Sequence, residues 1–303
     1  MSNFALGTRL PPGVLIVANP YSGSLANRHT VEALAEMLTR RGLKPSILWH
    51  RAERTAALAE ADLAQRFRCI VAAGGDGTLS AVIHERRDLP LAVLPLGTEN
   101  LFARQLGYAR DPEALAAAIC RCTVRELDLA DANGRSFSLM LSAGFDAEVV
   151  RRHSEWRSRG STTRRGHYVN WARPVFGALC GYHFPRIHVE ADGATITGAA
   201  ALVFNFPRYS LNVRFAPEAQ PDDGLLDWVV LQRPGRRALL SYFLAVRRGA
   251  HLARPGVRHG RARRIVLRSE KPAPIQIDGD AAGFTPVNIS VQPKALRVVS
   301  MQP

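Results

Sequence analysis

The chain has 303 residues, 47% apolar and 22% charged, which is material for about two cored domains and too apolar a profile for an intrinsically disordered chain. Four cysteines, Cys69, Cys120, Cys122 and Cys180, exclude a disulfide framework, and the Cys120/Cys122 pair has no partner pair at zinc-site spacing, so reduced and mostly buried thiols are expected. Basic residues number 40 against 26 acidic ones, and only Lys44, Lys271 and Lys294 are lysines. The arginines cluster: Arg151–Arg173 holds seven against one acidic residue, and Arg247–Arg268 holds eight against none. Such clusters attract anionic headgroups, nucleic acid or phosphorylated ligands, while a plain solvated face fits equally well. No apolar run reaches the roughly 18 residues of a membrane-spanning helix. Met1–Pro12 lacks a basic segment leading into an apolar one, so a cytoplasmic protein is expected.

From the start, short β-branched runs alternate with longer amphipathic ones, the pattern of a parallel sheet covered by helices. Val14–Ala18 reads as a strand, Leu25–Arg41 as a helix closed by Gly42, and Pro45–Trp49 as a second strand. Ala56–Arg66 reads as a helix, Cys69–Ala73 as a strand, Thr78–Glu85 as a helix and Leu91–Pro95 as a strand. Pro112–Cys120 follows as a helix with proline in its first turn.

After Leu127 the pattern changes to period-two alternation with turn residues between the runs, which predicts antiparallel strands. The candidates are Phe137–Ser142, Arg186–Glu190, Ala200–Phe204, Leu226–Leu231, Arg264–Arg268, Pro274–Ile277 and Val287–Val291. Asp192-Gly193 signals a hairpin. Two helical stripes interrupt the strands: Tyr168, Ala172, Val175, Phe176 and Leu179, then Leu239, Leu240, Phe243 and Val246. The expected domains are 1–127, with 292–303 returning to it, and 128–291, tightly packed with a cleft between them.

Chemistry concentrates in three polar turns at the ends of apolar strands: Asn19-Pro20-Tyr21-Ser22-Gly23, Gly74-Gly75-Asp76-Gly77-Thr78 and Gly97-Thr98-Glu99-Asn100. Glycines let a ligand approach the backbone, and free amides at a following helix start attract anions. An aspartate in such a loop repels a bare phosphate, so Asp76 implies a bridging metal ion or a proton acceptor. In an open parallel sheet, ligands bind outside the carboxyl ends of the strands, where all three turns lie. No GxxxxGK[ST], opening GxGxxG, or HRD and DFG set is present, so the P-loop, Rossmann dehydrogenase and protein-kinase readings lose their main support.

The ordered series VLIVANPYSGS, VAAGGDGTLSAVIHE, LPLGTENLFARQLG, SAGFDAEVV, PDDGLLDWVVL and IQIDGD resembles the diacylglycerol kinase catalytic-domain family of soluble lipid kinases, which includes sphingosine and ceramide kinases. It spans nearly the whole chain, although GGDGT alone is shared with NAD kinases. The resemblance implies an α/β nucleotide domain followed by an antiparallel β-sandwich that binds lipid, with ATP and Mg2+ as cofactors. By position it implies that Asn19, Pro20, Ser22 and Gly23 border the nucleotide. Gly74, Gly75, Asp76, Gly77 and Thr78 would cradle its phosphates with Asp76 beside the catalytic magnesium, and Gly97, Thr98 and Asn100 would contact ATP. Asp146 would face the active site at the domain junction. Asp223, with the carbonyls of Gln220 and Leu225, matches a structural magnesium site of some bacterial members, and a plain β-turn fits these residues nearly as well. Asp278 is expected as the base that deprotonates the lipid hydroxyl, with Asp280 orienting it or the metal.

The chain departs from the family at three places. Leu101 stands where aspartate is common, Asp280 where glutamate is common, and Leu48-Trp49-His50-Arg51 where many members have a nucleotide-touching threonine. Diacylglycerol is the leading acceptor, with a sphingoid base or another lipid alcohol close behind. A NAD kinase, or a noncatalytic protein bound to membrane or nucleic acid, stays open. The expected partner is an anionic membrane met by the arginine clusters, first at Arg164, Arg165, Arg247 and Arg248, with no nucleic acid. The oligomeric state is open to a homodimer.

Overall fold

The computed structural model describes residues 10–19, 25–159, 169–210 and 213–302. Pro20, Ser22, Gly23, Arg164, Arg165 and Tyr168, singled out above, lie outside them. The chain divides into two compact units, Met1–Leu127 with Ala295–Pro303, and Asp128–Lys294.

The first unit is built on parallel strands, four from its first stretch of chain and one from the returning Ala295–Pro303 segment, where Val298 pairs in parallel with Leu91. In chain order it comprises β1 (Gly13–Ala18), α1 (Leu25–Arg40), β2 (Lys44–Leu48), α2 (Arg51–Leu58), α3 (Leu63–Arg66), β3 (Phe67–Gly74), α4 (Asp76–Glu85), β4 (Leu91–Pro95), α5 (Leu101–Gln105) and α6 (Pro112–Arg121). The strand order is β2-β1-β3-β4, and every residue of β1 and β4 is buried, as expected for parallel strands covered on both faces. Chain direction across the sheet reverses between β1 and β3, which is the kind of point where open α/β sheets hold ligands. The helix expected at Ala56–Arg66 is two shorter ones. Leu58 and Leu63 are both 1% exposed, and five residues of one helix would turn them to different faces, so the chain breaks between them. The helix α6 starts as its sequence indicates: Asp111 accepts the Glu113 and Ala114 amides at 3.0 and 3.1 Å, with Pro112 following.

The second unit is antiparallel. It contains β5 (Val124–Ala132), which begins before the division, then β6 (Arg135–Phe137), β7 (Met140–Ala143), α7 (Phe145–Ser158), α8 (Val169–Gly181), β8 (Ile187–Ala191), β9 (Ala194–Gly198) and β10 (Ala200–Phe204). There follow β11 (Arg208–Tyr209), β12 (Val213–Arg214), β13 (Leu226–Leu231), α9 (Arg236–Arg247), β14 (Val257–Ala262), β15 (Arg264–Ser269), β16 (Pro274–Ile277), β17 (Asp280–Phe284) and β18 (Val287–Val299), which runs past the division. One sheet has the order β14-β13-β10-β7-β16-β17, and a second layer runs β18-β15-β8-β9. Leu141, Val203, Trp228 and Ile275 of the first meet Ile187, Val189, Ile265 and Ile289 of the second in one apolar core, the packing of a β-sandwich. Asp192 and Gly193 both have positive φ (44° and 92°) in the β8–β9 turn, as an Asp-Gly hairpin requires.

Three expectations change. The strand anticipated at Phe137–Ser142 is β6 and β7, because the chain leaves one ladder and joins another at Ser138-Leu139. All four cysteines are free, but only Cys69 is buried, while Cys120 and Cys180 are exposed. The apolar stripes of α8 and α9 do not turn inward as a unit. Pro174 and Ala178 of α8 are buried while Val175 and Phe176 are exposed, and in α9 Tyr242, Ala245 and Val246 are buried while Leu240, Phe243 and Leu244 are exposed.

Candidate active site

In the first unit the site is made of main chain. The strand β3 ends at Gly74, and a Cβ there would lie 2.3 Å from Thr78 Oγ1. Across from it the two glycine turns touch backbone to backbone: a Cβ on Gly97 would lie 2.5 Å from the Gly75 Cα, and one on Gly75 would lie 3.3 Å from the Gly97 Cα. No side chain fits between them. The Leu96 amide donates to the Gly74 carbonyl at 2.9 Å and the Asn19 amide to the Ala73 carbonyl at 3.2 Å, so the three turns are stitched together at the carboxyl ends of β1, β3 and β4.

The helix α4 begins at Asp76 with Gly75 as its N-cap. Thr78 and Leu79 donate to the Gly75 carbonyl at 3.0 and 3.2 Å, and the space beyond Gly77 is open, with nothing within 4 Å of a Cβ built there. A helix start of this kind attracts anions. Asp76 is half-buried. Its Oδ2 accepts the Leu101 amide at 3.2 Å and its Oδ1 the Phe102 amide at 3.4 Å, so the carboxylate caps α5. Leu101, where aspartate is common, is a buried side chain whose contribution here is its amide.

Asn100 does something that was not foreseen. It is 8% exposed, with φ 48°; its Oδ1 accepts the Gly97 amide at 3.0 Å and its Nδ2 donates to the Gly97 carbonyl at 2.7 Å. Each end of the amide makes one bond that closes its own turn and sets Gly97 in place. Thr98 is exposed. Sequence reasoning missed Asn27, a buried residue of α1 that donates to the Leu96 carbonyl at 3.2 Å and accepts from Arg110. Nothing in an amphipathic helix pattern marks it.

In the second unit the two expected carboxylates have opposite environments. Asp278 and Gly279 have φ 49° and 88° and form the two-residue turn between β16 and β17, where Ile277 pairs with Asp280. The Asp278 carboxylate accepts the amides of Ser138, Leu139 and Met140, each at 2.9 Å, and the Ser138 hydroxyl at 3.1 Å. These are the amides freed where β6 gives way to β7. Burial pushes the Asp278 carboxyl up from its ordinary value, and the amides of Met140, Ser138 and Leu139 pull it back in part. With each oxygen accepting two hydrogen bonds, Asp278, expected as the base, anchors two chain segments. The Asp280 side chain is 51% exposed, and its Oδ2 lies 3.7 Å from the Arg135 guanidinium. The Asp-Gly dipeptide inside IQIDGD was the available signal: it marks Asp278 as a turn residue.

Asp146, at the start of α7, belongs to a polar cluster. It accepts from Ser142 Oγ at 2.7 Å, from the Tyr209 hydroxyl at 3.1 Å and from Gln276 Nε2 at 3.3 Å. Desolvation raises its pKa against these hydrogen bonds, and the Tyr209 phenol is pushed well up by burial and by the Asp146 charge. Gln276, 0% exposed, also accepts the Gly279 amide at 2.8 Å through Oε1. It thus ties the Asp146 cluster to the turn that presents Asp280. A polar residue between two isoleucines of a strand gave no hint of this.

For Asp223 the sequence left two readings, a structural magnesium site with the carbonyls of Gln220 and Leu225 and a plain β-turn. Its Oδ1 accepts the Leu225 amide at 3.0 Å and its Oδ2 lies 3.8 Å from Arg261. The carboxylate caps its own turn, as in the plain β-turn that the sequence also allowed. Among the described residues, no group of three or more His, Cys, Asp and Glu side chains stands at metal-holding distance.

Comparison with known proteins agrees with this architecture. The family model for the diacylglycerol kinase catalytic domain matches residues 13–132, and that for the YegS C-terminal NAD kinase beta sandwich-like domain matches residues 139–300. A diacylglycerol kinase of Staphylococcus haemolyticus is 26% identical over 90% of this chain and 83% of its own length. One from Staphylococcus aureus strain JH9 is 27% identical over 90% and 87%. A crystal structure of a diacylglycerol kinase from Bacillus anthracis superposes with a TM-score of 0.67 at 20% identity, covering 97% of this chain and 98% of that one. A related crystal structure from the same organism reaches 0.74 over 99% and 98%, also at 20% identity. Paired glycine turns on a parallel sheet, an antiparallel sandwich in the second unit and two consecutive family matches lead to one conclusion: the chain belongs to the diacylglycerol kinase family, lipid kinases that transfer a phosphoryl group to an alcohol.

Proposed function

We propose that the protein is an ATP- and Mg2+-dependent lipid kinase that moves the γ-phosphoryl group of ATP onto the free hydroxyl of diacylglycerol, giving phosphatidic acid and ADP. The observation that carries this reading is the packing of Gly75 against Gly97, with 2.5 Å between the Gly75 Cα and a Cβ built on Gly97. It keeps side chains away from the amides at the start of α4, and a triphosphate needs that bare backbone. Asp76 fits a place beside a hydrated magnesium ion, since it is a half-buried carboxylate in the first turn of α4, a hard oxygen donor of the kind that magnesium takes. Bound there, magnesium would spread the phosphate charge. Asp280 is the proton acceptor. The lipid hydroxyl oxygen bonds to the γ-phosphorus as the bond to the β–γ bridging oxygen breaks, and its proton passes to the Asp280 carboxylate. Asp278 and Gln276 hold the turn that carries Asp280. The enzyme works from the cytoplasm on lipid at the membrane surface.

The test is phosphate transfer from labelled ATP to a panel of lipid alcohols in mixed micelles, with and without Mg2+, for the wild type, Asp76→Asn and Asp280→Asn. Labelled phosphatidic acid, lost in Asp280→Asn, is expected. Labelling of a sphingoid base alone would move the acceptor class, and NADP formed from NAD without lipid would replace the reading altogether. Equal activity in all three proteins would reject the residue roles.

A further inference from the structure

Amphipathic helices of soluble proteins turn their apolar stripe to the core. The helix α9 does so with only part of its apolar surface. Tyr242, Ala245 and Val246 are buried, yet Leu240 is 61%, Phe243 49% and Leu244 42% exposed. At 3.6 residues per turn, Arg236, Leu240, Phe243, Leu244 and Arg247 share one outward face. The side chains at its centre are apolar and those at its ends are cationic, since Arg237 and Arg248 extend the two ends. No acidic residue occurs anywhere between Asp227 and Glu270. The helix α8 also exposes apolar side chains, Phe176 at 69% and Val175 at 36%, beside one exposed cation, Arg173. Arg236 Nη2 donates to the Cys180 carbonyl at 2.9 Å, fastening the start of α9 to the end of α8.

We propose that the outward face of α9, continued by Val175 and Phe176 of α8, is the surface by which the protein docks on anionic membranes, with Leu240, Phe243 and Leu244 entering the acyl boundary and the flanking arginines meeting lipid headgroups. Apolar side chains at the middle of an exposed helix, with long cationic ones at both ends, are the composition of a helix lying in a membrane interface. Charge decides between occupants. A second copy docking through the same face around a twofold axis would set Arg236 and Arg237 of one helix near Arg247 and Arg248 of the other, like charges in a closing contact. An anionic leaflet instead matches all four. This surface rests on the lipid-kinase reading for its purpose, since a water-borne enzyme with an acyl-chain substrate must reach the bilayer.

The test is co-sedimentation of the full-length protein with vesicles of equal parts phosphatidylglycerol and phosphatidylcholine, and with phosphatidylcholine alone. Wild type should bind the mixed vesicles in a salt-sensitive way and the neutral ones much less. Leu240→Ser/Phe243→Ser/Leu244→Ser should weaken binding to the mixed vesicles by about tenfold or more, and Arg237→Gln/Arg247→Gln/Arg248→Gln should remove the preference for the anionic lipid. Both variants should keep the wild-type melting temperature and the wild-type activity on short-chain lipid in detergent micelles, which separates docking from folding and chemistry. Unchanged vesicle binding in the apolar variant overturns the proposal. So does a variant that converts a dimer to a monomer while binding vesicles like wild type. Binding is read without turnover, so a protein that needs this face to bind vesicles yet phosphorylates no lipid would leave the docking surface standing and reject the kinase reading.

Discussion

The glycine turns of the first unit and the Asp278–Asp280 hairpin of the second solve one problem, placing a polar group where chemistry needs it, by different means. At Gly75 and Gly97 the proposed surface is the backbone itself, and a Cβ on Gly97 would stand 2.5 Å from the neighbouring Cα, so sterics dictate the residue type. In the hairpin the proposed groups are side chains two residues apart. One carboxylate is turned inward onto three amides, and the other is 51% exposed. Residue identity announces the first kind of site and is silent on which carboxylate of the second kind is free.

The contrast can be broken most sharply at Asp280. Asp280→Asn should lower kcat by about 10²- to 10⁴-fold, the usual worth of a general base, with an unchanged urea midpoint because no buried partner is lost. Asp278→Asn should do the reverse in kind. An amide nitrogen turned toward the Ser138, Leu139 and Met140 amides leaves buried donors unpaired, at about 2–4 kcal/mol, visible as a lower urea midpoint. If Asp278→Asn folds like wild type and loses activity at the chemical step, the roles assigned here are exchanged.

Gly97→Ala tests the other side of the comparison. With the Gly75 backbone 2.5 Å and the Asn100 Oδ1 2.8 Å from the new methyl group, it should cost about 1–3 kcal/mol of stability and raise KM for ATP, whereas Gly77→Ala, built into open space, should leave the melting temperature unchanged. Smallest is a titration in β13. Burial pushes Asp227 up to about 6, with Arg261 opposing and Asp223 and Glu218 assisting. The folded chain then holds a proton that the unfolded chain has already released, so this contribution favours folding at low pH and is lost as pH rises from about 4 to about 6. Asp227→Asn should flatten that slope and raise stability at neutral pH by about 1–2 kcal/mol, measured by urea denaturation across the range.

Legibility followed the range of the forces involved. The strands β1, β4, β10, β13 and β16 stand in the sequence as apolar runs, and their positions came through within a residue. The glycine turns were equally plain. The strand expected over Phe137–Ser142 was misread because its break at Ser138-Leu139 depends on a carboxylate about 140 residues away, which no local pattern encodes. Asn27 was missed, and the turn-closing bonds of Asn100 were not foreseen, because the partners of a side-chain amide are set by the folded chain and not by the local pattern. The stripes of α8 and α9 show the limit of periodicity: it finds an apolar face and does not say whether protein or some other apolar medium covers it.

The contact between Gly75 and Gly97 also bears on how such an enzyme could be inhibited. A compound that draws its affinity from the main-chain amides of these bends would be difficult to evade by mutation. Any replacement that adds a side chain at either glycine presses against the opposite loop before it reaches the compound, so the alterations that could weaken the inhibitor would first injure its target.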